Sequence, residues 1–168
     1  MKKRFFLLCS AFFIGFGGCG TALTAPPESE ISGETVYAEA AENPFCTVQI
    51  TAGDTVLTGV LFDNDTAREF AERLPLTVPL WEPADFAKAF RLDAPLYDPP
   101  KFTWDYAVGG LAYWHAGPAV AIFHGADRDR TVVPIVPIGL ISEDVGLFAD
   151  YLDEVTMERV EENILLKE

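Results

Sequence analysis

Two histidines are the side chains whose chemistry would matter most in this sequence. His115 and His124 are its only ones, and both fall in "AYWHAGPAVAIFHG", Ala112–Gly125, among Tyr113, Trp114 and Phe123. Paired imidazoles can share a zinc ion or pass a proton between them. The flanking pattern decides against both. With "HAGP" as a hairpin turn, His115 stands opposite Pro118, Phe123 opposite Gly110, and His124 opposite Gly109. The stretch of strand between the imidazoles is then about 20 Å, at about 3.3 Å per residue. No common metal is expected, and each histidine is judged alone. His115 falls in a solvated turn, whereas His124 ends a strand beside Phe123 and can edge a pocket.

The remaining chemistry is sparse. Asp63-Asn64-Asp65 has the acidity of a calcium loop, but Ala67 and Arg68 stand where a third ligand and the loop glycine belong. Helix capping accounts for it better. There is no G-x-S-x-G, and Ser142 has no histidine near it in sequence. Arg128 and Arg130 in "GADRDR" can hold a carboxylate or phosphate, or else pair with Asp127 and Asp129. Phe62, Trp81, Phe86, Tyr113, Trp114 and Phe123 are the candidate lining of an aromatic pocket, with Arg68 as a further donor. Each aromatic also reads as ordinary core. No cofactor is expected.

The elements that must position these residues begin near Cys46. In "CTVQIT" Cys46, Val48 and Ile50 alternate with polar residues, "AGD" turns, and "TVLTGVLF" returns, which predicts a hairpin. "DNDTAREFAERLP" predicts a helix capped by Asp63, Asn64 or Asp65, with Thr66 and Glu69 at capping-box spacing. Ala67, Phe70, Ala71 and Leu74 form its apolar stripe, and Pro75 stops it. "LTVPL" reads as an edge strand, and "WEPADFAKAFRL" as a short second helix with Phe86 and Phe90 four apart. Strands follow around 106–114 and 119–124, within "TVVPIVPIGLIS", and in "EVTMERV"; "EDVGLFADYL" is a short amphipathic turn or helix. The sum is a mainly β fold, a small barrel with two or three short capping helices.

The N-terminal part carries a different message. Lys2, Lys3 and Arg4 precede an apolar stretch of signal-peptide length, and "FGGCG" ends it. Residues 1–18 read as a lipoprotein signal peptide, with Phe16 in the place of the usual leucine and Cys19 as the lipidated first residue; the alternative is an ordinary signal cleaved near "TALTA". Losing the three basic residues takes the net charge from −14 to −17. Cys46 then remains unlipidated and alone, which excludes an intramolecular disulfide framework. It reads as a small buried hydrophobe. Residues 19–45, rich in Ala, Pro, Glu, Ser and Thr, read as a flexible tether, and 46–168 as the folded domain. The chain is expected to be an exported cell-envelope lipoprotein held on a membrane through Cys19. So acidic a chain has no basic face for nucleic acid.

The order of motifs resembles the bacterial cyclophilin-like family. "VQITAGDTVLTGVLFDNDTAREFAERLPLTVPL", "GGLAYWHAGPAVAIFHG", "PIVPIGLIS" and "VTMERV" carry the likeness over about 46–160. The family's helix motif matches Leu61 to Pro75, and its strand motifs match Gly110 to Trp114, Gly117 to Gly125 and Gly139 to Ile141. Leu111 departs from the acidic residue frequent after the glycine. The resemblance implies a closed cyclophilin-like β-barrel with capping helices. It does not carry prolyl isomerase activity with it, because true cyclophilins use an arginine in F-H-R. Here Phe123-His124 is followed by Gly125, and Arg68, Arg73, Arg91, Arg128 and Arg130 lie outside any such motif. Three readings stay open: a non-catalytic module binding a small molecule or peptide, a peptidyl-prolyl isomerase for exported proteins, and an envelope scaffold.

Overall fold

The structure is a computed structural model that describes residues 33–97, 102–114 and 116–160. The leader, Cys19, His115 and residues 161–168 lie outside the described residues. Among the described residues nine antiparallel strands form one sheet: β1 (Pro44–Ala52), β2 (Thr55–Phe62), β3 (Leu76–Pro79), β4 (Trp81–Ala84), β5 (Ala87–Arg91), β6 (Gly110–Trp114), β7 (Ala119–Phe123), β8 (Val136–Ile141) and β9 (Glu154–Arg159). Their order is β3-β9-β1-β2-β8-β6-β7-β5-β4, curled into a nearly closed barrel. Two helices, α1 (Gly33–Ala41) and α2 (Asp65–Glu72), and a 3-10 turn at Gly146–Ala149 complete it.

The hairpin alternation translates directly into burial. Val48 and Ile50 on β1 and Leu57 and Leu61 on β2 all enter the interior cluster, each contributing about 1.5–3 kcal/mol through the apolar surface it removes from water. Gly53 closes the hairpin at φ +59°, a left-handed turn position that suits glycine. Cys46, expected to be buried, is half-buried at the rim. α2 covers the barrel end where β2 finishes, and Ala67, Phe70 and Ala71 pack inward. Asn64 caps it by accepting from the Ala67 N–H at 2.9 Å. The Thr66–Glu69 pair does not form a capping box. Thr66 donates to the Tyr97 carbonyl and Glu69 accepts from the Tyr97 N–H, so both tie the loop after β5 to the helix. The 3-10 turn follows β8, which runs antiparallel to β2, and so covers the opposite end with Phe148.

Two expectations are corrected. Gly33–Ala41 is a helix packed on the outside of the sheet, not tether. Tyr37 is fully buried against Phe62, Val60, Leu140 and Ala107, so the folded domain includes residues N-terminal to Cys46. The stretch 81–91 is a pair of strands, not a helix. β5 is buried on both faces. Phe90 points into the barrel, while Ala87 packs with Phe86, Tyr106 and Phe123 in a second cluster outside it. A strand covered on both sides loses its alternation, and that made the segment look helical.

Candidate functional site

The hairpin register is the one expected from the sequence. Tyr113 pairs with Val120 and Leu111 with Ile122, which sets Gly110 against Phe123 and Gly109 against His124. The aromatic residues proposed as one pocket are instead distributed over separate places. Phe86 and Phe123 stack at 6.0 Å in the outer cluster with Tyr106. Phe62 meets Tyr37 edge-on at 5.6 Å. Tyr113 lies in the filled interior, where its hydroxyl accepts from the Leu96 N–H. Trp114 is half-buried at the end of β6, its Nε1 without a partner among the described residues. Among the described residues the structure does not bring these six aromatics together around one cavity.

The arginines also part company. Arg68 pairs with Asp63 and lies over the Phe45 ring at 4.2 Å. Arg130 pairs with Asp105 at 2.9 Å, not with Asp127 or Asp129. Arg128 is exposed, held by its backbone carbonyl, which accepts from the Tyr106 hydroxyl at 2.7 Å.

The fold brings His124 close to Lys88, Glu82 and Asp127. It sits at the 3-10 end of the barrel, where its N–H donates to the Phe86 carbonyl at 2.9 Å. Its Nε2 is buried without a partner among the described residues. Burial, and then the nearby Lys88 ammonium, hold its pKa below the ordinary histidine value, against the opposing pull of Glu82 and Asp127. Lys88 comes from β5 on the same face as Phe90 and is 2% exposed. Its Nζ bonds the Glu82 carboxylate and reaches the Ala149 carbonyl at 3.2 Å. The Lys88 hydrogen bond lowers the Glu82 pKa. Lys88 therefore works as a clasp, fastening β5 to β4 and to the 3-10 turn. The helical reading of "ADFAKAF" hid this residue. Read as a strand, the same segment puts Lys88 and Phe90 on one face, and a charge on an inward face is the signal.

At the other end the barrel does not fully close. Between β3 and the C-terminal end of β5 runs a cleft of about 850 Å³, lined by the β3 residues and by Arg73, Trp81, Arg91, Leu92 and Asp93. The Arg91 guanidinium lies 4.8 Å from the centroid of the Trp81 ring. Arg73 has its donors engaged by Glu69 and by the Ala94 and Pro95 carbonyls. A second cleft, about 930 Å³, lies beside Phe45, Cys46 and Arg159. Burial raises the Cys46 pKa there, with Arg159 opposing it. Among the described residues no group of three His, Cys, Asp or Glu side chains could hold a metal ion.

The model of the cyclophilin-like family matches residues 50–159. No curated protein matches the chain. Among solved structures, the solution structure of a hypothetical protein from Archaeoglobus fulgidus aligns with a TM-score of 0.58 at 22% identity, over 71% of this chain and 98% of that one. At that identity the likeness is one of fold.

Proposed function

The chain belongs to the cyclophilin-like family, and from that premise we propose that it is a lipid-anchored binding module of the cell envelope, without prolyl isomerase chemistry. The observation that carries the reading is the seam cleft. There an arginine rests on an aromatic ring beside an apolar wall, in a barrel whose interior is otherwise filled. Such a surface binds through shape and charge. An isomerase would need a donor over a proline pocket, and four of the six candidate aromatics, Phe62, Phe86, Tyr113 and Phe123, are packed into separate clusters. The envelope location rests on the "FGGCG" junction at Cys19.

The test is a prolyl-isomerisation assay on a proline-containing peptide with the full chain, run beside a true cyclophilin. No rate above the uncatalysed background is expected. Clear catalysis would overturn the reading, and variants of Arg68, Arg91 and Arg128 would then locate the donor.

A further inference from the structure

We propose that Arg91, lying on Trp81, anchors a site for a carboxylate-bearing peptide that extends along the free edge of β3. This rests on the reading of the chain as a binding module, and names where it binds and what.

The chain has 26 acidic residues against 12 basic ones, so an exposed arginine has carboxylates on offer. Arg68, Arg73 and Arg130 each take one. Arg91 is exposed and makes no ion pair among the described residues, although Asp93 follows two positions later. Its guanidinium is spent instead on stacking. Stacking occupies the π face of the guanidinium and leaves its N–H edge free, in the fork that a carboxylate fits with two parallel bonds. The half-buried Trp81 ring beneath it fixes that fork in one plane, which reduces the entropy lost when a ligand is caught. Arg128, also exposed and unpaired among the described residues, has neither an aromatic floor nor a place in either of the two clefts.

The rest of the cleft argues for a peptide rather than an inorganic anion. One arginine in so acidic a protein holds a free anion weakly, because the summed negative field opposes it. The ligand must add apolar contact, and Leu76, Val78 and Leu80 supply the wall for it. β3 pairs only with β9, so its other backbone edge has no strand partner among the described residues. An extended peptide is the ligand that uses an open strand edge and an apolar wall together. Asp93, on the same lining, accepts from the peptide's N–H groups while the ligand's carboxylate goes to Arg91.

The experiment uses two randomised, acetylated and amidated hexapeptide pools, one with a fixed glutamate and one with a fixed glutamine at the same position. Each is passed over the immobilised full chain, and the retained fraction is quantified. The glutamate pool is expected to be retained about ten-fold more, corresponding to about 1.4 kcal/mol. Arg91→Gln abolishes the preference, Arg91→Lys keeps part of it, and Arg128→Ala keeps it whole. Arg91 is exposed, and an unchanged unfolding midpoint for the variants removes misfolding as an explanation. Equal retention of the two pools would overturn the carboxylate site while leaving the binding module standing. So would a glutamate preference that survives Arg91→Gln, which places binding elsewhere. Retention of neither pool would overturn the peptide site, and with it the peptide-binding form of the module.

Discussion

Tyr37 occupies the space that a side chain at Gly110 would need. A Cβ at Gly110 would stand 2.5 Å from Tyr37 Cε1 and 2.9 Å from the Ala107 carbonyl oxygen. Glycine on β6 is therefore what lets α1 lie flat on the outside of the sheet. Gly33 makes the same kind of approach at the start of the helix, where a Cβ would fall 2.1 Å from the Tyr106 carbonyl oxygen.

Gly110→Ala should destabilise the domain by displacing α1. Tyr37→Ala, which empties a fully buried site, should cost about 3–5 kcal/mol. In the Tyr37→Ala background Gly110→Ala should cost less than it does alone, since one of its two clashes has gone. Urea midpoints of the four proteins check this. Strict additivity would mean that helix and strand do not compete for that space.

Lys88 and Glu82 should respond unequally to substitution. Lys88→Met removes a buried charge and keeps much of the volume, leaving Glu82 to water, so its stability should stay within about 1 kcal/mol of the parent. Glu82→Gln leaves the buried ammonium without its counter-ion and should lower the urea midpoint more than Lys88→Met does. The reverse order would show that the clasp contributes through the ion pair itself.

Stability should fall as pH drops from about 7 to 5, and His124 should cause much of the fall. The unfolded imidazole titrates near 6.5, while burial and Lys88 hold the folded one lower. Over that window the unfolded chain binds the proton first, so acid favours unfolding. Glu82, whose folded pKa is also lowered, adds its loss at more acidic pH, below its ordinary value of 4.5. His124→Gln should flatten the dependence of the urea midpoint between pH 7 and 5. Parallel curves for parent and variant would place the dependence on other groups.

Cys19→Ala should shift the chain out of the membrane fraction of its host, and mass spectrometry of the parent's mature N-terminus should find a lipid-modified cysteine. An unmodified N-terminus elsewhere in residues 20–32 would instead indicate an ordinary cleaved signal.

The sequence by itself determined what depends on neighbours along the chain. Alternation in 46–61 fixed the first hairpin and its inward face, and Asn64 with the stripe Ala67, Phe70 and Ala71 fixed α2. "HAGP" fixed the register that sets His124 against Gly109. These signals are local, since side-chain direction repeats every two residues in a strand and every 3.6 in a helix. Only the tertiary structure decided the rest. α1 has a weak apolar stripe, and its burial hangs on Tyr37 meeting a glycine more than seventy residues away. β5 is buried by two different clusters, so no single period marks it. Lys88, Glu82 and His124 meet because β5, β4 and β7 are adjacent in the sheet. Trp81 and Arg91 meet because β4 pairs with β5, and they face Leu76 and Val78 across a cleft because the first strand of the order, β3, comes round to the β4–β5 end of the sheet. Contacts between residues so far apart in the chain are set by how the sheet curls, and no short window of sequence contains that curl.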